Sequence, residues 1–362
     1  MTKPTRSWMT GLGLKTVATL LLSTLLISCG SSKKYDEFIP TRIVSAGDGM
    51  SYLDANASSV IFTTSGALAN YANRFTVIES SGYDHWLKQF AAGYGLTTIG
   101  DRTSTSAQII ALRTISPVAG HHSDNPTDAT LAAIQTQLGG FTPKADDLLV
   151  LSIGLGDILE LSEAYLGNTR TFADAKAEAF LRGQGYMDYV NTLYQNGTYK
   201  RIILVNPPDI SKSPYVQTSG NANLSSLVSQ MTEQFTYGLK RNASTYPRDG
   251  GVWLFDATNL LLNINLATTY NVNLTTPVCD DAVATRTQVC SVKSVDIADD
   301  IADTARTTNT FSLLSLNVLP LGGTSNYSIT NYFYAGSIFP TPLIHRYMGS
   351  TLYTRMRSSI GF

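Results

Sequence analysis

The sequence predicts an α/β fold: a three-layer α/β/α sandwich built in a single domain around a doubly wound, mostly parallel sheet. Four runs are apolar along nearly their whole length, as strands are when helices cover both faces of a parallel sheet. Stretches with apolar residues at helical spacing separate these runs, and strands that alternate with helices form parallel βαβ units. The 362 residues, 43% of them hydrophobic and 15% charged, are enough to bury a large core.

The predicted elements follow one another along the chain. The strands are RIVSAG (42–47), DLLVLSIG (147–154), RIILVNPP (201–208), which ends at its two prolines, and GVWLFDA (251–257). The helices are DHWLKQFAAGYGL (84–96), TDATLAAIQTQLGGF (127–141), AKAEAFLRGQGYMDYVNTLYQN (175–196), NLSSLVSQMTEQFTYGLKRNAS (223–244) and TPLIHRYMGSTLYTRMR (341–357). Between the last strand and the last helix, residues 270–330 are rich in Thr, Asn, Ser and Asp, and we expect an irregular surface excursion there.

The first 28 residues have the composition of a signal peptide. Three basic residues precede an apolar stretch, 17–27, that is too short to span a bilayer comfortably. It ends in LISC, which resembles a bacterial lipobox, and the resemblance implies that Cys29 is lipidated and becomes the first residue of the mature protein. The alternative is an ordinary secretory signal. We expect a short tether at 29–39 and the folded domain at 40–362.

The resemblance to a lipobox implies a protein of the bacterial cell envelope, with the membrane as a partner through a lipid anchor. Gly30 rather than Asp follows the cysteine, which in enteric-type sorting favours the outer membrane. No later stretch is long and apolar enough to cross a membrane. The formal charge is −1, with no basic run beyond Lys33-Lys34, so we expect no nucleic-acid partner.

The two remaining cysteines, Cys279 and Cys290, are eleven residues apart in VCDDAVATRTQVC. In an exported protein this spacing predicts a disulfide that closes a surface loop. Neither cysteine has a neighbouring His or further Cys, and His121-His122 lack another ligand at a suitable spacing beyond Asp124. The sequence therefore predicts no metal site and no cofactor.

Four segments follow predicted strands or lie near the C-terminus: AGDGMSYLD, SIGLGDILE, NPPDISKSPY and YFYAGSIFPT. Ligands of open α/β sheets gather beyond the carboxyl ends of the strands. In order and spacing, over about residues 40–360, these segments resemble the SGNH or GDSL-type lipase/esterase family, in particular its bacterial phospholipase- and haemolysin-related members. The resemblance implies ester hydrolysis by a Ser-His-Asp triad, with a glycine amide and an asparagine side chain in the oxyanion hole.

The residues that would perform this chemistry are replaced. Gly49 occupies the position of the serine and Gly156 that of the oxyanion asparagine. Gly336 and Phe339 occupy those of the aspartate and the histidine, and only the glycine of the second block survives, as Gly82. The chain contains no Gly-Asp-Ser, no Asn-Asp dipeptide and no Asp three residues before any of its four histidines. The loss therefore does not depend on the alignment.

Other polar residues near these segments have a structural and a functional interpretation. Ser51 is a candidate for a displaced nucleophile, although a serine there more often caps the following helix. His345, six residues past Phe339, is expected to be a surface or core histidine. We expect Asp48 and Asp157 to hold turns together by accepting hydrogen bonds from backbone amides.

The sequence thus predicts a lipid-anchored envelope protein with a hydrolase-like fold that lacks hydrolase activity. Loss of the serine alone costs a triad enzyme about a millionfold in rate. We expect it to bind or scaffold, with a glycan, an acyl chain or a protein segment in the vestigial cleft, the family's ligand site around Gly49. Two alternatives remain open: a GDSL-family ester hydrolase with a relocated nucleophile, and a structural subunit of a surface assembly that makes contact through 270–330.

Overall fold

The computed structural model describes part of the chain. The described residues are 38–51, 85–112, 130–241, 251–258, 275, 317–318, 327–328, 333–334, 338, 340 and 342–360. The chain divides into two compact units, one of residues Pro40–Arg355 and one of Met1–Ile39 with Met356–Phe362. The six-stranded sheet and the Gly49–Ser51 turn belong to the first of these units. The single domain predicted at 40–362 stays a prediction.

Six strands form one sheet in which every neighbouring pair is parallel. They are β1 (Arg42–Gly47), β2 (Ile99–Gly100), β3 (Ile109–Ala111), β4 (Asp147–Ser152), β5 (Ile202–Val205) and β6 (Val252–Phe255), in the spatial order β2-β3-β1-β4-β5-β6. Every residue of β1, β3, β4 and β5 is buried, as expected where helices cover both faces.

The strand order defines a switch point between β1 and β4. Apart from the two-residue edge strand β2, the order is the doubly wound 2-1-3-4-5 arrangement, in which the chain moves outward from β1 on one side and then returns to the other. The two strands are in register from Arg42 opposite Asp147 to Gly47 opposite Ser152, so they end together. Ligands of such sheets bind where these two carboxyl ends meet.

Seven helices are described alongside this sheet. They are α1 (Trp86–Ala92), α2 (Leu131–Leu138), α3 (Leu155–Leu166), α4 (Phe172–Gln195), α5 (Pro214–Thr218), α6 (Leu224–Arg241) and α7 (Pro342–Ile360), with one 3-10 turn at Gly49–Ser51. Within the predicted excursion, β7 (Asn317–Val318) and β8 (Tyr327–Ser328) form a small antiparallel pair. None of the helices in the described residues combines the length and apolar character needed to cross a membrane.

The helices form two groups. In one, α3, α4 and α6 pack together, and α4 meets α6 backbone to backbone: a methyl group at Gly183 would overlap the carbonyl oxygen of Phe235. In the other, α7 lies against α1, because a methyl group at Gly349 would overlap the carbonyl oxygen of Trp86. Right-handed crossovers, the rule between parallel strands, predict that helices from the two sides of the switch point cover opposite faces of the sheet. The predicted α/β fold is confirmed.

Four strands and five helices lie where the sequence predicts them, within a few residues at each end. The strands β2 and β3, the pair β7 and β8 in the segment expected to be irregular, and the helices α3 and α5 are additional to the predicted elements. Strands of two and three residues are too short to show a periodicity, and α5 has only five residues. Helix α3 begins only three residues after β4 ends, and the glycines at its start obscure its helical pattern.

Candidate functional site

The candidate site is the switch point, where β1 and β4 end. Gly47, the last residue of β1, has φ = 139°, and a Cβ there would overlap the carbonyl oxygen of Ser152 on β4. Only glycine fits a position with both constraints. The Gln137 side chain holds the same residue: its Oε1 accepts from the Gly47 amide at 2.7 Å, and its Nε2 donates to the Gly47 carbonyl at 3.0 Å.

Asp48 ties three elements together at this point. Its carboxylate is 1% exposed, and Oδ1 accepts hydrogen bonds from the Met50 amide at 3.1 Å and the Ser152 hydroxyl at 2.8 Å. Oδ2 accepts from the amide of Leu155, the first residue of α3, at 3.1 Å. The prediction that Asp48 holds a turn through backbone amides is confirmed. The carboxylate is thereby committed to joining β1, β4 and α3.

The two predicted nucleophile positions lie in the turn that follows. Gly49 starts the turn, is half-buried and has no side chain that could react. Ser51 is buried, and its hydroxyl donates to the carbonyl oxygen of Asp48 at 2.9 Å. The hydroxyl therefore points back into its own turn. Its expected role as a helix cap concerns amides after residue 51, which are outside the described residues.

Two histidines lie beside this turn, and they stack on each other. His85, just before α1, and His345, on α7, have ring centroids 4.7 Å apart and planes inclined by 32°. They are 1% and 2% exposed. Nδ1 of His85 accepts from the amide of Leu87 at 3.2 Å, which makes this ring the N-cap of α1. Within the part of the chain that is described, Nε2 of His85 and both nitrogens of His345 have no hydrogen-bond partner.

Burial sets the protonation state of both rings. It lowers the pKa of His85 well below the usual value, and the adjacent His345 lowers it further, while the carbonyl of Met50 opposes these effects. Burial also lowers the pKa of His345 to about 3. Both rings are therefore neutral at neutral pH. Because Nδ1 of His85 is an acceptor, its one proton is on Nε2.

The histidine pair is connected to the turn through Trp86. Its indole Nε1 donates to the carbonyl oxygen of Met50 at 2.5 Å. Sequence analysis did not find this pair, because 260 positions separate its members and no motif joins them. It did allow for His345 in the core, and the structure places it there, on the same buried face of α7 as Ile344 and Met348.

Asp157, in the first turn of α3, has side-chain partners. Its Oδ1 accepts from Arg182 at 3.1 Å and its Oδ2 from the Tyr186 hydroxyl at 2.8 Å, both on α4. The expectation that Asp157 holds a turn through backbone amides is wrong, because two donors on the neighbouring helix reach the carboxylate. Burial raises the pKa of Asp157 to about 6, against the effects of Tyr186 and Arg182. The i, i+4 spacing of Arg182 and Tyr186 is the signal that could have predicted the cluster.

The carboxyl end of β5 is also held by structural hydrogen bonds. Asn206 donates to Thr236 of α6 at 2.8 Å and to Thr258 at 2.7 Å, and accepts from the amide of Ala257. Asp209 accepts from Ser229 of α6 at 2.7 Å. These bonds connect β5 to β6 and to α6, and they give Asn206 and Asp209 a structural role.

The other predicted site residues are placed as follows. Gly156 is the second residue of α3 and is buried. Outside the described residues lie Gly82, Gly336, Phe339, Cys29, Cys279, Cys290, His121 and His122, so their predicted roles stay predictions. Among the described residues, no three His, Cys, Asp or Glu side chains come together as metal ligands.

No protein-family model matches the chain. A search of curated proteins finds no significant match either. The resemblance to the SGNH/GDSL-type family therefore rests on the four segments of the sequence, and the α/β fold rests on the sheet itself.

Proposed function

We propose that this protein is a lipid-anchored component of the bacterial envelope whose SGNH/GDSL-like domain binds or scaffolds and does not hydrolyse esters. One observation carries the proposal. At the switch point, Gly49 has no side chain, the Ser51 hydroxyl donates to a backbone carbonyl, and neither His85 nor His345 shares a hydrogen bond with a hydroxyl of the described residues.

A serine nucleophile needs a base within hydrogen-bond reach to accept its proton. The only basic nitrogen of His85 is Nδ1, which already accepts the amide of Leu87, and its Nε2 carries a proton. The ring could take a proton from a serine only by giving up the N-cap of α1. Asp48 is equally committed, since its carboxylate accepts three hydrogen bonds from the fold.

A binding role is compatible with this arrangement. Gly49 itself has no side chain, so a ligand at the carboxyl end of β1 could approach its backbone closely. The ligands that fit the proposal are those of the vestigial cleft around Gly49, namely a glycan, an acyl chain or a protein segment. The lipid anchor at Cys29 would hold this cleft at the membrane surface.

The lack of hydrolysis is tested with a fluorophosphonate probe and p-nitrophenyl butyrate on the purified protein. We expect no labelling and no turnover above background. Gly49→Ser should behave in the same way, because a serine without a base is a weak nucleophile near neutral pH. Stoichiometric labelling of the wild type that is lost in Ser51→Ala would replace this proposal by the relocated-nucleophile alternative.

The anchor is tested separately by labelling cells with a palmitate analogue. Cys29→Ala should abolish the label and leave unprocessed precursor, whereas Cys279→Ala, with the same change in a cysteine outside the lipobox, should leave the label unchanged. A Cys29→Ala protein that is still labelled would contradict the lipoprotein assignment without affecting the test of hydrolysis.

A further inference from the structure

We propose that His85 and His345 form an acid-sensitive latch on the Gly49–Ser51 turn. The latch is closed while both rings are neutral and stacked. Protonation of either ring releases the start of α1 and, through Trp86, the turn at the carboxyl end of β1. The inference rests on the positions of these side chains and does not depend on the proposed binding function.

The first reason is the N-cap. Nδ1 of His85 accepts the amide hydrogen of Leu87, and protonation of Nδ1 would turn this acceptor into a donor facing another donor. The imidazolium would also lie at the N-terminus of α1, where the helix dipole disfavours positive charge. The neutral ring stabilises the first turn of α1, and the charged ring destabilises it.

The second reason is the pairing of the two rings. A charge on His85 would lie beside His345, in a position that is 1–2% exposed to solvent. The titratable side chains described on the surrounding elements are Asp48 before the turn, Lys88 on α1, and Tyr347, Tyr353, Arg355 and Arg357 on α7. Among these and the other described residues, the only titratable side chain that affects the pKa of His85 is His345. No described carboxylate compensates an imidazolium, so its burial would be costly.

The third reason is the connection to the turn. Trp86 follows His85 directly, its indole donates to Met50 in the Gly49–Ser51 turn, and its carbonyl lies against Gly349 of α7. A shift of the first residues of α1 therefore breaks the hydrogen bond to Met50 and the contact with α7 together. The turn would be freed from α1, while Asp48 would still hold it to β4 and α3.

The direction of the pH effect follows from linkage. The pKa of each ring in the folded protein lies below the value of about 6.5 that an unfolded histidine has, so the unfolded state binds more protons. The stabilisation from the neutral pair is complete above about pH 6.5. It is lost progressively as the pH falls from 6.5 towards the pKa of His345, about 3.

The latch is tested by hydrogen exchange with mass spectrometry on the full chain in detergent, between pH 7.5 and pH 4.5, corrected for the intrinsic exchange rate. We expect the protection of α1, residues 86–92, to fall at least tenfold at the acid end. The protection of α4, residues 172–195, should stay within twofold. Equal losses in α1 and α4 would indicate global unfolding and overturn the proposal.

Two substitutions remove the titration. In the His85→Asn variant, the asparagine side chain can still accept a hydrogen bond from the amide of Leu87, since Asn is among the best N-cap residues. The second substitution, His345→Leu, removes the other ring. The double variant should keep the neutral-pH protection of α1 at pH 4.5. The matched control, His121→Gln with His122→Gln, removes the other two histidines and should lose protection as the wild type does. A double variant with the wild-type pH midpoint would overturn the proposal.

A titration of the wild type keeps the inference testable if the variants do not fold. The histidine C2–H resonances, followed by NMR, should include two that stay in the neutral position at pH 5. If all four histidines titrate near pH 6.5 while α1 stays protected, the rings tolerate charge and the latch does not exist.

Discussion

A buried titratable group lies on each side of the Gly49–Ser51 turn, and the two groups differ in their hydrogen bonding. On one side, the Asp48 carboxylate accepts hydrogen bonds from two amides and a hydroxyl. On the other, the His345 ring is equally buried, yet neither of its nitrogens has a partner among the described residues. The difference shows that burial alone does not reveal what a polar residue contributes to stability.

The physical difference is whether hydrogen-bond partners in the protein replace the water that each group loses on burial. Asp48 exchanges water for three protein donors, and these hydrogen bonds stabilise the packing of the elements that supply them. His345 gives up water and gains only ring packing, so its one N–H is a cost to the folded state. The same turn is therefore held firmly by the acid and only conditionally by the histidine pair. Substitutions should separate the two sides by the sign of their effect.

The largest expected effect is that of Asp48→Ala. It leaves the amides of Met50 and Leu155 and the hydroxyl of Ser152 without their buried acceptor, and we expect a loss of about 4 kcal/mol of unfolding free energy. Urea denaturation measures it. The control is Asp101→Ala: Asp101 also accepts three hydrogen bonds, from Thr103 and Ser104, but near the surface, where water can replace it. Equal losses in both variants would contradict the comparison.

An effect of opposite sign is expected for His345→Leu, measured in urea at pH 7. Leucine has a similar volume and no polar atoms, so the variant should gain about 1–2 kcal/mol by removing an unsatisfied buried donor. The matched change, His85→Leu, should instead lose about 1 kcal/mol, because it deletes the N-cap of α1. If His345→Leu destabilises the protein as much as His85→Leu does, the ring has a partner outside the described residues.

The smallest effect concerns Asp157, whose hydrogen bonding is intermediate between that of Asp48 and that of His345. Two side chains donate to its carboxylate, yet burial raises its pKa to about 6. Tyr186→Phe removes one donor and should raise this pKa further, which NMR of the carboxyl carbon can follow. The stability that a raised aspartate pKa provides is present below about pH 4 and lost as the pH rises through the folded-state value. The cost of the substitution should therefore be greater at pH 7, about 1 kcal/mol, than at pH 4.

The control for this prediction is Tyr189→Phe, a half-buried position three residues further along α4. It should change neither the pKa of Asp157 nor its pH dependence. A carboxyl titration that is unchanged in Tyr186→Phe would mean that the phenol does not act on Asp157.

The sequence predicted the sheet well because its central strands are buried on both faces and read as continuous apolar runs. The strand predicted at 42–47 is β1 residue for residue, whereas β3 has only three apolar residues and gives no such signal. For the site, the position of Asp48 in a turn after a strand was enough to predict its bonds to amides. The partners of Asp157 come from α4, and sequence analysis of α3 alone could not supply them.

The contact between His85 and His345 could not be predicted from the sequence. His85 belongs to a helix start and His345 to the apolar face of a helix 260 residues later, and each has an ordinary explanation in its own segment. What distinguishes them is their mutual distance and their missing partners, and neither is encoded in a local pattern. Only packing of α7 against α1 brings the rings together.

The geometry of Gly47 and Asp48 has a consequence for how such chains change over generations. Gly47 leaves no space for a side chain against Ser152, and Asp48 joins three elements of the fold. Selection for folding alone would retain both residues, whether or not a nucleophile follows them. A Gly-Asp pair at the end of a first strand is therefore a marker of architecture, and the residue after it must be read before an activity is assigned.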